Sequence, residues 1–476
     1  MKGFTRVDDL KFGTSGLRGL VSLLDGPPAF DWTFAFARML LAGNLAASGS
    51  KVFVGRDLRS SSRSISRHVG NAISAAGLVP VDCGELPTPA LAFHAMRQSA
   101  ASIMVTGSHI PDDRNGLKFY LPSGEISKAD ETAIAALHHE GAPRHMNGMP
   151  EDFESARDEA VSAYLARYRG AFAGDALAGL TIGVYQHSSV ARDLLPEMLE
   201  ALGARTLLLG HSATFVPVDT EALREEDVAL LRQWAIRHSL DAIVSTDGDA
   251  DRPLIADETG RFVRGDLVGT LTAAHLGAQS VVTPVTSNSA IEATGLFADV
   301  RRTRVGSPFV IEAMKEREGG ALVVGFEANG GVLLGGGTSD LSPLQTRDAF
   351  LPIISVLAHR KETGRPLSQI AASLGFRHMA ADRLQRVDMA RAAQFLARIA
   401  TDPAFAGSIF SPLGGMAHLD PTDGMRVTLG NGGIVHFRAS GNAPEVRCYV
   451  EAASDSETAE LLEQGLTILA ANTTVP

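Results

Sequence analysis

Three times along this chain a β-rich run leads into a stretch of helical period, which a glycine closes before a second β-rich run begins. "KVFVGRD", "SSRSISRHVGNAISAAGL" and "VPVDCG" form the first unit; "LTIGVYQ", "SVARDLLPEMLEALGA" and "RTLLLG" the second; "QSVVTPVT", "SNSAIEATGLF" and "VRRTRVG" the third. The closing residues are Gly77, Gly203 and Gly295, because glycine readily takes the left-handed conformation that ends a helix. A strand–helix–strand unit used three times predicts three related α/β domains with largely parallel sheets. From about Gly375 the rhythm changes to a helix ("DMARAAQFLARIAT"), three short alternating strands ("MRVTLGNG", "IVHFRAS", "VRCYVEA") and a last helix ("SETAELLEQGLTILAA"). That pattern predicts a smaller C-terminal α+β domain with an antiparallel sheet. At 476 residues the chain is too long for one core. Its connecting stretches divide it at 1–150, 151–257, 258–372 and 373–476.

The charge balance is 43 basic against 54 acidic residues, a net −11, which argues against nucleic-acid and anionic-membrane partners. Anions can still bind where arginines gather locally. Cys83 and Cys448 sit in apolar, strand-like runs and read as reduced structural thiols, not as a disulfide framework. "MKGFTRVDDLKFG" has no apolar core of the signal-peptide kind. The most apolar run, "FAFARMLLAGNLAA", is broken by Arg38 and Asn44 and reads as an amphipathic helix, too short to span a bilayer. A cytoplasmic location is expected.

Five loops carry groups with chemistry. "STDGDADRP" follows the apolar strand "LDAIV" and places Asp247, Asp249 and Asp251 at alternate positions. Three carboxylates this close repel unless a cation lies among them, and hard oxygen ligands suit Mg²⁺ or Ca²⁺. An EF-hand is excluded, because Arg252 stands where its glycine must be and the flanks read as strand. Arg252 could contact a phosphate on the same ion. "RASGNAPEVR" joins Arg438, Ser440, Gly441, Asn442 and Arg447, a set that suits an anion nest, although a turn with exposed arginines has the same pattern. "FGTSGLRG" offers Arg18 in a glycine–hydroxyl loop, and "GFEANGG" offers Glu327 and Asn329, a carboxylate and an amide suited to vicinal sugar hydroxyls. Each of these two is also compatible with a simple turn.

"VTGSHIPDDRNGLKFY" places Ser108 just past the buried strand run "SIMV". Asn115–Gly116 predicts a reverse turn, with "LKFYL" as the returning strand that carries Lys118 back toward Ser108. A lysine there could hold a phosphoryl group or move protons.

In order and spacing, these loops resemble those of the α-D-phosphohexomutases along essentially the whole chain. Relatives carry T-A-S-H-N-P, D-G-D-G-D-R, G-E-x-S-G and R-x-S-G-T-E-P-x-x-R loops; this chain has "TGSHIP", "DGDADR", "FEANGG" and "RASGNAPEVR". The resemblance implies four domains around a central cleft and Ser108 as the phosphoryl carrier. It implies Mg²⁺ held by Asp247, Asp249, Asp251 and a phosphoserine oxygen on Ser108. Lys118, His109 and Arg18 would work at the transferring group. Glu327 and Asn329 would hold sugar hydroxyls, while Arg438, Ser440, Gly441, Asn442 and Arg447 grip the phosphate that is not reacting. The partners implied are hexose phosphates, with a hexose 1,6-bisphosphate as intermediate and activator. The chain departs from the pattern at Gly107, Ile110, Ala250, Asn329, Gly331, Asn442 and Ala443.

The expected activity is interconversion of mannose 6-phosphate and mannose 1-phosphate. Glucose phosphates, alone or with mannose, come second and glucosamine phosphate third. A phosphatase on the same scaffold and a non-catalytic sugar-phosphate binder are the other two classes. The sequence gives no sign of oligomeric state.

Overall fold

The structure, a computed structural model, describes residues 10–13, 16–143, 153–317, 321–338, 340–440 and 444–474. The chain separates into two compact units, one of Met1–Val282 with Gly306–Ala371 and one of Thr283–Val305 with Ala372–Pro476.

The first unit holds three sheets. The largest runs in the order Lys11–Gly13, Gly16–Leu20, Arg114–Leu121, Ala101–Val105, Lys51–Arg56, Val79–Glu85, Glu154–Ser155. Its central strand Ala101–Val105 is buried along its whole length. The side chains of Ile103, Met104 and Val105 are fully enclosed, each worth about 1.5–3 kcal/mol relative to exposure. The second sheet is ordered Arg205–His211, Thr181–His187, Ala242–Thr246, Pro253–Ala256, Phe262–Val263. In the third, Ser280–Pro284 pairs with Val323–Phe326, followed by Val332–Gly335 and Leu344–Asp348.

The expectation of largely parallel sheets needs correction, because each sheet is mixed. The strands joined by crossover helices are parallel, as with Lys51–Arg56 between Val79–Glu85 and Ala101–Val105. Each sheet then continues through antiparallel strands, including Arg114–Leu121, Pro253–Ala256 and Val332–Gly335. These are joined by connections too short for a crossover, so the chain must turn straight back. The loops carrying Ser108, the three aspartates and Glu327 all lie at such a reversal. Gly77, Gly203 and Gly295 do have the positive φ expected of helix-closing residues. The third expected helix shrinks to the single turn Ala290–Ala293.

Polar contacts tie the third sheet to the helix Arg157–Ala171 and to the edge of the first sheet. The hydroxyls of Tyr164 (2.6 Å) and Tyr168 donate to the buried Asp348. Those of Ser307 and Thr346 donate to Glu125 at 2.5 and 3.0 Å.

The second unit contains an antiparallel sheet in the order His378–Gln385, Glu445–Ala452, Ile434–Ala439, Met425–Leu429, Met416–Asp420. Helices Met389–Thr401 and Asp455–Thr473 pack on it around Phe395, Phe410, Phe437 and Cys448. This is the α+β arrangement expected. Both cysteines are free and buried. No helix among the described residues is long and apolar enough to cross a membrane.

Candidate active site

Ser108 follows the strand Ala101–Val105, and its backbone is left-handed, with φ +56°. Its hydroxyl donates to Asp247 Oδ2 at 2.5 Å and lies 3.2 Å from His109 Nδ1. Asp247, Asp249 and Asp251 follow the strand Ala242–Thr246, are fully buried, and present carboxylate oxygens that all lie within 4.8 Å of one another. Burial, then repulsion by Asp249 and Asp251, pushes the Asp247 carboxyl well above the usual range. Burial acts the same way on Asp251, but the charges of Arg347, Lys118 and Arg252 outweigh it and hold that carboxyl below the usual range. Lys118 Nζ bridges Asp249 Oδ2 at 2.6 Å and Asp251 Oδ2 at 2.5 Å.

The alternate spacing that marked the aspartates survives as a tight turn. Asp247 N–H donates to the Arg252 carbonyl at 3.0 Å, and Arg252 N–H returns to Asp247 Oδ1 at 3.2 Å. Ala250, at φ +59°, holds the left-handed position of that turn. An L-residue costs roughly 1–2 kcal/mol in this conformation, so the alanine here carries a strain that the glycine of the family pattern lacks.

The remaining positive groups crowd the same place. Arg252 Nη1 lies 3.0 Å from His109 Nδ1. Burial, then the charges of Arg252 and Arg18, keeps His109 well below its ordinary value, so its ring is neutral at pH 7. Desolvation and the neighbouring guanidinium groups of Arg252 and Arg347 push Arg18 down to about 10, still charged at neutral pH. Glu327 and Asn329 lie in the bend between Val323–Phe326 and Val332–Gly335. The Asn329 amide reaches Glu327 Oε2 at 3.4 Å, and Asn329 Oδ1 takes the Gly331 N–H at 3.0 Å.

The structure therefore brings together Arg18, Ser108, His109, Lys118, Asp247, Asp249, Asp251, Arg252, Glu327 and Asn329. The route by which Lys118 arrives differs from expectation. Asn115–Gly116 is not a reverse turn but part of the strand Arg114–Leu121, and the chain reverses just before it, where Arg114 N–H closes on the Pro111 carbonyl at 3.1 Å. Gly116 is there for close approach: a Cβ on it would stand 2.4 Å from the Leu17 carbonyl of the neighbouring strand. "FGTSGLRG" is likewise largely strand, with Arg18 on Gly16–Leu20 paired opposite Gly116.

In the second unit Arg438 and Arg447 are paired across adjacent antiparallel strands, so both leave the same face of the sheet. Arg438 Nε donates to Asp423 at 2.7 Å, and Arg447 Nε to Glu445 at 3.3 Å. Ser440 N–H donates to the Glu445 carbonyl at 2.9 Å. Gly441 and Asn442 lie outside the described residues.

Two groups at the site escaped sequence reasoning. Arg347, buried on the strand Leu344–Asp348, reaches Asp251 Oδ2 through Nη2 at 2.7 Å and Glu327 Oε2 through Nη1 at 3.0 Å. Thr88, at the start of helix Thr88–Arg97, donates its hydroxyl to Asp249 Oδ2 at 2.5 Å and its N–H to the Asp249 carbonyl at 2.9 Å. Nothing in "LQTRD" or "LPTPA" marks either; both act only because tertiary structure places them against the aspartates.

Comparison with known proteins agrees with this geometry. Models for the four domains of phosphoglucomutase/phosphomannomutase match in order: domain I (alpha/beta/alpha) at residues 9–144, domain II at 163–260, domain III at 264–375 and the C-terminal domain at 383–466. A phosphomannomutase of Sinorhizobium fredii is 48% identical over 96% of this chain and 98% of its own length. This chain is a phosphohexomutase of that family. A phosphomannomutase of Salmonella muenchen is 40% identical over 95% of this chain and 94% of its own. Among solved structures, a phosphoglucomutase/phosphomannomutase family protein of Burkholderia thailandensis covers 96% of this chain and 97% of its own with a TM-score of 0.77, at 20% identity. The phosphohexomutase fold and isomerase class expected from the sequence are thus supported along the whole chain.

Proposed function

We propose that this phosphohexomutase interconverts mannose 6-phosphate and mannose 1-phosphate through a phosphoryl group carried on Ser108. The observation that carries the reading is the Ser108 hydroxyl, aimed 2.5 Å from one of three buried carboxylates around which Lys118, Arg252 and Arg347 gather. Such a group of cations suits a phosphoryl group that must be held while it changes partner, because positioning and electrostatics supply most of the catalysis of this transfer.

The aspartates fit a divalent cation. Asp249 Oδ1 and Asp251 Oδ1 are buried without a hydrogen-bond partner, which is costly for a carboxylate unless an ion takes its place. Asp247, Asp249, Asp251 and an oxygen on phosphorylated Ser108 would hold Mg²⁺, which supplies charge neutralisation at the transferring group.

The reaction then runs in two transfers. The Oγ–P bond of phosphoserine breaks as a bond forms from phosphorus to the free O6 or O1 hydroxyl of a mannose phosphate; that hydroxyl gives up its proton and the released Ser108 oxygen takes one up. The product is mannose 1,6-bisphosphate, which reverses end for end. Ser108 Oγ then bonds to the phosphorus at the other end, and the sugar oxygen leaves and takes up a proton. The Ser108 proton has two acceptors within reach, Asp247 Oδ2 at 2.5 Å and the neutral His109 Nδ1 at 3.2 Å. Lys118, Arg18 and Arg252 balance the moving charge. Glu327 and Asn329 hold sugar hydroxyls, and Arg438, Ser440, Gly441, Asn442 and Arg447 hold the phosphate that is not reacting. A trace of hexose 1,6-bisphosphate charges Ser108 at the outset.

Mannose is assigned on the strength of the two phosphomannomutase relatives. The test compares kcat/KM for mannose 1-phosphate and glucose 1-phosphate with Mg²⁺ and trace hexose 1,6-bisphosphate. The assignment requires a preference for mannose of at least about tenfold, the lower end of what one altered contact can discriminate. Equal turnover or a glucose preference would overturn it.

A further inference from the structure

Beneath the Ser108 loop lies a residue that no part of the reading above has used. Arg59 sits just after the strand Lys51–Arg56, and its side chain is completely enclosed. A guanidinium has five N–H donors in a fixed planar fork, and here all five are engaged. Nε meets Asp57 Oδ2 at 3.2 Å. Nη1 donates to the carbonyls of Pro111 (2.7 Å) and Arg114 (3.0 Å), and Nη2 to those of Ser108 (3.0 Å) and Ile110 (2.6 Å). Four of the five bonds therefore end on the backbone of one short loop, and one of them on Ser108 itself.

The partner carboxylate fixes the other side of the loop. Asp57 takes the Thr106 hydroxyl at 2.7 Å, the Gly107 N–H at 3.3 Å and the Ser62 hydroxyl at 2.5 Å, and Thr106 Oγ1 accepts the Ser108 N–H at 2.8 Å. The face of the guanidinium lies 3.9 Å from the centre of the Phe215 ring. That ring also abuts the aspartate turn, since a Cβ built on Gly248 would stand 3.1 Å from it and 2.7 Å from the Ser108 carbonyl. One buried cation thus spans the serine loop and the ring that packs on the aspartate turn. A left-handed serine persists only where its surroundings over-determine it, and this network is what does so.

We propose that Arg59 is the positioning residue of transfer at Ser108, and that Gly107 is the glycine this placement requires. A Cβ on residue 107 would stand 2.6 Å from Arg59 Cζ. An alanine at residue 107 would therefore push on the guanidinium and force it to shift from this arrangement. The inference rests on the reading of Ser108 as the phosphoryl carrier.

The test is Arg59→Lys, which keeps the charge but cannot reproduce a planar five-donor fork, with Gly107→Ala as a second variant acting from the other side. Amide hydrogen exchange of residues 107–114 and steady-state kinetics with mannose 1-phosphate are both measured on the whole chain. Both variants should exchange faster across 107–114 and lose about 10²-fold in kcat, the scale of a misplacement of the reacting group by about 1 Å, with KM within threefold. In Arg59→Ala, millimolar guanidinium should restore part of kcat, which a residue needed only for folding would not show. Wild-type exchange rates across 107–114 in both variants would overturn the proposal whatever the substrate. So would wild-type kcat in Arg59→Lys, or a loss that guanidinium leaves untouched and that tracks a fall in melting temperature. If the wild-type chain turned over no hexose phosphate, the functional reading would fall, and the exchange data alone would still decide whether Arg59 holds the loop.

Discussion

Arg347 links the aspartate turn to the sugar loop, and replacing it by methionine exposes what that link contributes. The guanidinium is 1% exposed and meets Asp251 Oδ2 at 2.7 and 3.2 Å and Glu327 Oε2 at 3.0 Å. Breaking a buried pair costs about 3–5 kcal/mol, mostly through the charge left behind. Asp251 keeps Lys118 at 2.5 Å, so the stranded group is Glu327, left with the Asn329 amide at 3.4 Å. The loss therefore belongs at the lower end, about 3 kcal/mol. Glu327→Gln removes the stranded charge, so the double variant should recover about 1–3 kcal/mol relative to the sum of the singles. Urea unfolding read by tryptophan fluorescence suits the measurement, because Trp32 and Trp234 both lie in the same compact unit as Arg347. A cost below about 1 kcal/mol, or additivity within about 0.5 kcal/mol, would refute the argument.

Lys118→Met keeps most of the side-chain volume and removes the charge shared by Asp249 and Asp251; kcat should fall about 10²–10³-fold with little change in KM, and a kcat within tenfold of wild type would contradict the role given to it. In the second unit, burial and the nearby charge of Arg426 hold His436 at about 4, while its Nε2–H donates to the Asp423 carbonyl at 2.6 Å. Because this value lies below the ordinary 6.5, the unfolded chain takes up the proton first. The stability that His436 contributes is therefore present above pH 6.5 and is lost as pH falls toward 4, by roughly 2 kcal/mol at pH 5. Calorimetry of the whole chain at pH 7.5 and 5 should show His436→Asn losing less stability between the two than wild type does; equal losses would count against this account.

What could be read in advance follows from how local each signal is. Asp247, Asp249 and Asp251 were legible because three acids at alternate positions after an apolar strand have few other uses. The strand–helix–glycine grammar was legible because both periods and the left-handed stop are written within some thirty residues. Asn115–Gly116 misled because the same dipeptide that favours a turn also suits a strand whose neighbour approaches too closely for a Cβ. Arg347 and Thr88 left no trace, since a single arginine in a strand and a threonine at a helix start acquire their meaning only from the carboxylates folded against them. The antiparallel strands of the second and third sheets were missed for a related reason: short buried returning strands look like any other apolar run.

The central claim is that Ser108 carries the phosphoryl group. The direct measurement incubates the chain with mannose 1,6-bisphosphate and Mg²⁺ and locates phosphate by peptide mass spectrometry, before and after a chase with mannose 6-phosphate. One phosphoryl group on Ser108, lost to the sugar in the chase and absent from an inactive Ser108→Ala variant, is the predicted result. Phosphate on another residue, or full mutase turnover in Ser108→Ala, would contradict the account.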